Sequence, residues 1–368
     1  MTACRWVSLT LTLTLALSAS TLHAQTWSRP SAADSTRLFY KGYDYGSDAY
    51  FSPLTVLLNK GYDIFQLRQS PRNILDFPYG NAWTYGIRDV FQRPGPAVER
   101  FGGWGRMWRV ELLPLSRNTR ELNWFVNYTE HFMGGGLTMR ALDEWYRAHN
   151  VPAPRVWAMV NTYAASVLNE ISEQPDVRMA SAGGVADLLI FDAAAILLFH
   201  WDQPTRFLAH TLQAADWSNQ ATITFPNRQL QNNGQYFSLK IPVGLDRTRV
   251  FLRGGMGAQV GVSRKLDDQH HLSVGVGGDT EVREIDASGH ETVGFAPGGG
   301  LYFDRNNSLL WSLTVSPAEN ALSINVYPGV LPWRARALGA WIVRTRRDEW
   351  RFGIVHRRAL GLGVGYGR

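Results

Sequence analysis

The sequence predicts an α+β protein, with an N-terminal helical domain followed by an antiparallel meander β-barrel of roughly 8–10 strands. Before Gln220 the apolar residues form helix-length blocks, and after it most segments alternate large apolar with small or polar side chains. The final alternating segment is the clearest. Its even positions are Leu360, Leu362, Val364 and Tyr366, and the odd positions between and after them are all glycine. A glycine face leaves room where strands of a small barrel curve.

The first 24 residues have the pattern of a secretory signal peptide. Arg5 precedes a run of leucines alternating with threonine or serine from Val7 to Ser20, and the segment ends at the small residue Ala24. The run is shorter than the ~20 apolar residues that a membrane-spanning helix needs. Cys4 is the only cysteine, so cleavage after Ala24 would leave a chain without disulfides or thiolate chemistry. We therefore expect export to the cell envelope.

The amino-acid composition indicates which kinds of molecule the chain binds. Aromatic residues make up 12% of the chain, including 14 tryptophans, and Trp and Tyr suit a membrane–water boundary. The formal net charge is +6, and arginines cluster late in the chain, at Arg334, Arg336, Arg344, Arg346, Arg347, Arg351, Arg357 and Arg358. Such a cluster suits anionic lipid headgroups or a polar barrel lumen. Neither a groove-fitting helix motif nor an aromatic–basic RNA platform accompanies it, so we expect no nucleic-acid partner.

Residues 25–120 are predicted to be an irregular segment, rich in Tyr, Gly and Pro, that wraps the later helices. One short helix is predicted within residues 47–60. The segment 101–105 contains three glycines, and glycine at that density resists helix formation. A turn or loop is therefore expected there.

Residues 121–216 are predicted to form the helical domain, because apolar residues recur at three- and four-residue steps and prolines separate the blocks. The predicted helices are 121–149, 155–173, 181–201 and a shorter one at 205–215. The stretch 193–199 of the third helix is apolar all round and is expected to be buried. Asp187 and Asp192 in the same helix argue against a plain membrane-spanning segment.

Residues 220–368 are predicted to form the β-barrel. The predicted strands are 235–243, 249–262, 270–285, 291–303, 309–315, 322–326, 338–345, 350–355 and 360–366, and most are joined by short polar turns such as 266–269 and 304–307. A soluble two-sheet sandwich fits the same alternation. The signal peptide, the aromatic content, the absence of disulfides and the glycine face of the last strand favour the barrel.

The last strand resembles the C-terminal sorting signal of Gram-negative outer-membrane barrels, in which a glycine is followed by alternating apolar residues and an aromatic. Gly361, Val364 and Tyr366 match that spacing, and the two residues after Tyr366 depart from it. This resemblance implies an outer-membrane location, with the periplasm as the alternative.

The helical segment is similar to uncharacterised bacterial envelope families that share a His followed by glycines, then a helical Glu, then an Asp. The matching positions here are His131 with Gly134 and Gly135, then Glu170, then Asp187. The similarity implies no established reaction.

Polar residues on the three apolar helices form the candidate site: Glu130, His131, Asn169, Glu170, Asp187 and Asp192. A His and a carboxylate within hydrogen-bond reach could form a general acid–base pair, so His131, Glu170 and Asp187 are the candidate catalytic residues. Structural pairing is the favoured interpretation, because buried charges must be paired or neutralised. In it, His131 and Glu170 bridge two helices. Asp187 then caps a helix or pairs with Arg178 or Arg140.

The sequence contains no motif for a cofactor. Residues 298–300 are three glycines, but no Lys-Ser or Lys-Thr follows them into a helix. Metal binding by the same candidate cluster is a further alternative, since His, Glu and Asp are ordinary ligands, but His-x-x-x-His and Cys-x-x-Cys spacings are absent. His270 and His271 lie on one strand, so their rings point to opposite faces and cannot chelate together. We therefore expect no cofactor and no metal.

These observations favour an outer-membrane envelope protein that is not an enzyme, a barrel with a helical plug or platform serving envelope structure or small-solute passage. The expected partners are outer-membrane lipids and the barrel-assembly machinery. One alternative is a membrane-face hydrolase or transferase that acts on lipid or cell-wall material through His131 and Glu170. The other is a soluble periplasmic binding protein built on a β-sandwich.

Overall fold

The computed structural model describes residues 37–66, 73–113, 123–173, 183–285, 291–357 and 361–367. The predicted signal peptide, residues 1–24, lies outside these ranges. Within them, helices precede a large, mostly antiparallel sheet, so the predicted α+β class is confirmed.

The segment predicted to be irregular is mostly helical where it is described, and that prediction was wrong. It forms α1 (Gly46–Tyr50), α2 (Pro53–Gly61), α3 (residues 79–91), α4 (Pro94–Phe101) and α5 (residues 104–112), with a 3₁₀ turn at Asp63–Gln66. Local signals start some of these helices. Ser52 caps α2, since its hydroxyl accepts the Thr55 N–H at 3.1 Å, and Pro53 occupies the first turn. The turn predicted over residues 101–105 forms at Gly102 and Gly103, with φ of 111° and 86°, while Phe101, Trp104 and Gly105 are helical.

The helices predicted from apolar periodicity are present. They are α6 (residues 123–148), α7 (Pro154–Glu173), α8 (Gly183–Phe199) and α9 (Asp202–Thr211). The last of these ends before the predicted residue 215, because Ala215 already pairs with a strand. Five stretches of the described chain are wound as π-helix, and two of them carry candidate site residues, Asn127–Gly134 in α6 and Asp187–Phe191 in α8. Single π-turns often occur at functional positions in helices.

The helices were compared with the length and hydropathy of a bilayer span. Among the described residues, no single helix is long and apolar enough to cross a membrane. The pair Gly183–Phe199 and Asp202–Thr211, bent by 83°, reaches the required length and composition only when taken together.

Thirteen strands form one sheet in the described chain, more than the predicted 8–10. They are β1 (Ala215–Asp216), β2 (Thr222–Pro226), β3 (Gln229–Gln231), β4 (Tyr236–Leu245), β5 (Thr248–Gly255), β6 (Gly257–Lys265), β7 (His270–Ile285), β8 (Glu291–Arg305), β9 (Ser308–Val315), β10 (Asn320–Val326), β11 (Leu338–Thr345), β12 (Trp350–His356) and β13 (Gly363–Gly367). Part of the excess arises because the stretch predicted as one strand, 249–262, reverses at Met256. Three short strands, β1 to β3, precede the meander.

The turns of the meander follow local chemistry. Asn306 and Asn307 join β8 to β9 with φ of 52° and 66°. Two successive left-handed residues are what a tight hairpin of matching twist requires, and asparagine tolerates that conformation. The predicted turn at 304–307 is therefore confirmed, as is the turn at 266–269.

The sheet is not closed into a barrel, and that part of the prediction was wrong. The paired order is β1-β4-β5-β6-β7-β8-β9-β10-β11-β12-β13-β2-β3, with β1 and β3 at the edges. The final strand pairs with β2 in parallel, and β2 then pairs with β3 instead of with the start of the meander. One continuous segment, 215–231, therefore contributes to both edges.

The two faces of the sheet differ in chemistry. Strand registers place an unbroken row of apolar residues across eleven strands, all exposed or half-exposed: Ile241, Val250, Val262, Val274, Leu301, Leu313, Ile324, Ile342, Phe352, Tyr366 and Phe225. The opposite face is buried and largely polar, with residues such as Lys240, Ser263, Ser273 and Asn325. A water-soluble sheet has the reverse pattern.

Side chains from non-neighbouring strands meet on the buried face, so the sheet is curled around it. The Tyr302 hydroxyl donates to Gln259 Oε1 at 2.7 Å, joining β8 to β6. Trp341 Nε1 donates to Thr222 Oγ1 at 2.8 Å, joining β11 to β2. The linker between β1 and β2 also lies inside, because Tyr327 of the loop after β10 donates to the Ser218 carbonyl at 2.8 Å.

The last strand shows why glycines were needed. Gly363 and Gly365 line the inner side, while Val364 and Tyr366 are exposed. A Cβ on Gly363 would lie 2.4 Å from Val355, and one on Gly365 would lie 2.4 Å from the Phe352 carbonyl. The predicted segregation of glycine and large residues is confirmed for this strand.

The helical domain attaches to the sheet through polar contacts. The Tyr50 hydroxyl donates to the Ala221 and Gly361 carbonyls at 3.0 and 2.7 Å. At another point, Gln235 at the start of the meander donates to the Gly134 carbonyl of α6 at 3.2 Å. These contacts position α6, which carries part of the candidate site.

A buried carboxylate–histidine cluster is the candidate functional site

The structure brings the three candidate residues together from three helices. His131 lies in the π-helical part of α6, Glu170 near the end of α7 and Asp187 at the start of the π-helical part of α8. One ligand atom of each lies within 4.8 Å of the others. Their exposed fractions are 5%, 0% and 6%. Their catalytic role stays a prediction.

Glycines allow these helices to approach closely. A Cβ on Gly135 would lie 3.2 Å from Asp192 Oδ1, and one on Gly184 would lie 2.5 Å from Glu170 Oε2. A Cβ on Gly136 would lie 2.2 Å from the Phe199 ring, which joins α6 to α8. Each glycine costs a helix about 1 kcal/mol relative to alanine. The close contacts explain why the helices carry them.

We expect Gly136→Ala to destabilise the protein by about 1–3 kcal/mol, because the added methyl group must displace the buried Phe199 ring. Gly80→Ala in α3 is a matched control, since nothing lies within 4 Å of its Cβ position. The control should be neutral or slightly stabilising. Chemical unfolding of both variants measures the difference. Equal stabilities would contradict close packing at Gly136.

His131 lies between two aspartates. Its Nδ1 is 3.3 Å from Asp192 Oδ2, and its Nε2 is 3.8 Å from Asp187 Oδ2. Burial lowers the pKa of His131, because the charged imidazolium loses hydration, and this outweighs the attraction of Asp192. The ring is therefore neutral at pH 7 and offers one nitrogen lone pair.

Lys60 stabilises the charge of Asp192, and the sequence did not indicate that it belongs to the site. It lies in the last turn of α2, and its Nζ is 3.6 Å from Asp192 Oδ1. Burial alone would raise the pKa of Asp192, but the charge of Lys60 and the contact with His131 hold it below its usual value. Asp192 is therefore the ionised partner of His131. A lysine in the last turn of a short predicted helix gave no signal that it would be buried.

Glu170 and Asp187 form the other half of the site. Burial raises the pKa of Glu170 to about 8. Burial and the nearby charge of Glu170 also raise the pKa of Asp187 well above its usual value. Apart from Asp187, itself an acid, no donor in the described chain hydrogen-bonds to either oxygen of Glu170. Two carboxyl groups in contact cannot both ionise easily, so at neutral pH the pair retains a proton.

Further acids surround this pair, and most were not anticipated. Glu111, Asp63 and Glu130 are all at least nine-tenths buried. Burial raises the pKa of Asp63 to about 7, although Lys60 is close. Asn169, noted in the sequence, donates a short hydrogen bond to Asp63 Oδ1 and so belongs to the same network.

The pairing predicted for Asp187 is not made by Arg140. Arg140 Nη2 lies 2.6 Å from Asp202, and its Nε lies 3.6 Å from Glu144. The other predicted partner, Arg178, lies outside the described residues. His131 of α6 was also predicted to bridge to Glu170 of α7. Its ion-pair contacts are instead to Asp187 and Asp192, which both lie in α8.

The geometry of this cluster suits two kinds of chemistry. Asp192 orients His131, which is the geometry of a carboxylate-supported general base. Alternatively, a neutral imidazole and two carboxylates can share a cation. All of these groups are nearly inaccessible to solvent, so a substrate would reach them only after the helices separate.

No known protein family, curated protein or solved structure matches this chain.

Proposed function

We propose that the chain is an outer-membrane protein of a Gram-negative-type bacterium, whose sheet contacts lipid and whose helical domain forms a platform against it. The observation that carries this proposal is the row of apolar side chains across eleven strands, set against a buried polar face. An exposed apolar area of this extent is unfavourable in water and typical of a surface in contact with a membrane or a partner. Apolar-out, polar-in alternation is the pattern of membrane-embedded strands.

A structural role is favoured over solute passage. The aromatic rings of Trp217, Phe251, Tyr302 and Tyr327 fill the curled interior and are fully buried. The polar cavity lined by Tyr236, Arg253, Asp279 and Asn325 has a volume of only about 60 Å³. That volume holds a few water molecules, since each needs roughly 10–15 Å³ of such space. Outer-membrane lipids are thus the main proposed partner.

The alternatives find less support. A sandwich has two packed sheets, whereas every described strand here belongs to one sheet. An enzyme acting through His131 and Glu170 needs substrate access, and these residues are 5% and 0% exposed. The non-catalytic proposal requires no opening of the helices.

We expect the mature protein to fractionate with the outer membrane and to migrate differently on gels before and after heating. Val276→Lys tests the face itself, because Val276 is 64% exposed and pairs with Val260 across the sheet. A lysine at the bilayer midplane costs about 2–4 kcal/mol. The folded, heat-modifiable fraction should therefore fall.

Asp246→Lys is the matched control, since Asp246 is exposed in the turn between β4 and β5. It should leave the folded fraction unchanged. A mature protein that remains soluble after export would overturn the proposal. So would equal outer-membrane yields for Val276→Lys and the wild type.

A further inference from the structure

The interior of the helical domain contains more acid than base. In the described chain, six buried carboxyl groups surround Lys60 and His131: Asp63, Glu111, Glu130, Glu170, Asp187 and Asp192. Arg106 adds a positive charge near Glu111. Buried charges require pairing, protonation or a bound cation. Lys60 lies beside Asp192, so among the described residues Glu170 has no ion-pair partner and Asp187 faces only His131, at 3.8 Å.

Three side chains of the types that bind metal ions lie close together in this cluster. His131, Glu170 and Asp187 each place one ligand atom within 4.8 Å of the other two, and His131 Nε2 lies 3.8 Å from Asp187 Oδ2. Ligand atoms bound at about 2.0–2.2 Å around one ion lie roughly 3–3.5 Å apart. Small side-chain rotations are therefore enough to bring the three atoms onto a common centre.

The environment of Glu170 is an independent observation that points to a ligand. Its side chain is fully buried, and its hydrogen-bonding neighbour is Asp187, another acid, so with both groups ionised neither Glu170 oxygen has a donor among the described residues. Gly184 packs directly against Oε2, so the carboxylate is held in place from that side. Buried polar atoms are rarely left unsatisfied in native proteins. A cation between Glu170 and Asp187 would satisfy both.

His131 is oriented as a metal-binding histidine is. Its Nδ1 contacts Asp192, which leaves Nε2 directed at Asp187. Ligating histidines usually donate their second ring N–H to a carboxylate, which fixes the tautomer and the ring orientation. Asp192, stabilised by Lys60, supplies that carboxylate.

We propose that His131, Glu170 and Asp187 bind one divalent transition-metal ion of the Zn²⁺ class, with Asp192 orienting His131. The ion joins α6, α7 and α8 and neutralises the pair of carboxylates between them. An imidazole nitrogen favours such ions over Mg²⁺ and Ca²⁺, which prefer all-oxygen sites. The site is structural, since its ligands are buried. The lack of a short-range motif is consistent with this, because the ligands come from three separate helices.

Titration of the metal-stripped, detergent-solubilised full chain with ZnCl₂ tests the proposal. Calorimetry should show one high-affinity Zn²⁺ per chain that excess Mg²⁺ does not displace. Saturating Zn²⁺ should also raise the unfolding temperature, because the ion binds the folded state. Absence of stoichiometric Zn²⁺ binding to the wild type would overturn the proposal, whatever the variants do.

Nearly isosteric variants locate the ion. Glu170→Gln and Asp187→Asn should each weaken Zn²⁺ binding by more than about 100-fold, and Asp192→Asn by about 10–100-fold. Asp143→Asn is the matched control, because Asp143 is equally buried in α6 but pairs with Arg147 and Arg155. The control should bind Zn²⁺ as tightly as the wild type. Wild-type affinity in both Glu170→Gln and Asp187→Asn, or an equal loss in the control, would place the ion elsewhere and refute the site.

Discussion

Lys240→Met is expected to destabilise the protein by about 3–5 kcal/mol, because it removes the cation that compensates the buried Asp304 carboxylate and leaves it only His271 at 3.7 Å and the Asn307 N–H. Both side chains are 0% exposed. Lys240 Nζ lies 2.7 and 2.6 Å from the two Asp304 oxygens and 3.0 Å from Asn307 Oδ1. The pair therefore joins β4 to the end of β8 across the curled sheet. Chemical unfolding of the purified protein measures the loss.

The double variant Lys240→Met with Asp304→Asn separates the attraction within the pair from the cost of a lone charge. Asparagine keeps an acceptor for the Asn307 N–H, which now bonds to Asp304 Oδ1 at 3.1 Å. Replacing both charges of a buried pair is often nearly neutral. The double variant should therefore recover most of the lost stability. If it is as unstable as Lys240→Met alone, loss of lysine packing explains the effect instead.

Trp217→Ala should cost about 3–5 kcal/mol, because it opens a cavity among fully buried rings. Trp217 lies 5.7 Å from the Phe251 ring and 5.6 Å from the Tyr302 ring, measured between centroids. Its Nε1 also donates to the Asn307 carbonyl at 2.8 Å. The truncation therefore removes ring contacts and leaves a buried acceptor without its donor.

Trp201→Ala is the control for this change, since Trp201 is 54% exposed. We expect less than about 1 kcal/mol for the control. Unfolding curves and the heat-modifiable gel shift report both variants. Equal losses at Trp217 and Trp201 would contradict a packed interior.

Lys240 and Trp217 belong to one unit, since Lys240 Nζ lies 5.4 Å above the Trp217 ring. Their effects should therefore not add in a Lys240→Met/Trp217→Ala variant. A double loss smaller than the sum of the single losses, measured by chemical unfolding, would demonstrate the coupling. Strict additivity would argue that the two residues stabilise different parts of the sheet.

The periodicity of apolar residues predicted the helices and strands that bury one face. Helix α7 was predicted to within a residue, because its apolar stripe and its flanking prolines are both local signals. The strands from β7 onward followed from alternation for the same reason. Helices α3 to α5 were missed, since their glycines, prolines and aromatics obscure the helical period, although tertiary packing buries Val98 and Met107.

The sheet edges could not be read locally, whereas part of the strand count could. The alternating stretch that includes Val250 and Val262 reverses at Met256, and the glycines at 254, 255 and 257 are a local turn signal that the single-strand prediction overlooked. Whether the sheet closes into a barrel depends on pairing between segments far apart in the sequence. Here β2 pairs with β3 and not with the start of the meander. Hydrogen bonding between distant segments decides such pairings, and alternation is the same for either outcome.

The sequence by itself determined which residues lie on each face of a strand and which helices carry buried polar groups, because side-chain direction follows from local backbone geometry. It identified His131, Glu170 and Asp187 as candidates, but Arg140, one of the partners predicted for Asp187, pairs with Asp202 and Glu144 instead. Only the tertiary structure placed Lys60 beside Asp192 and Glu170 beside another acid, Asp187. Such neighbours come from helices far apart in the chain, and the packing of those helices decides which charge meets which.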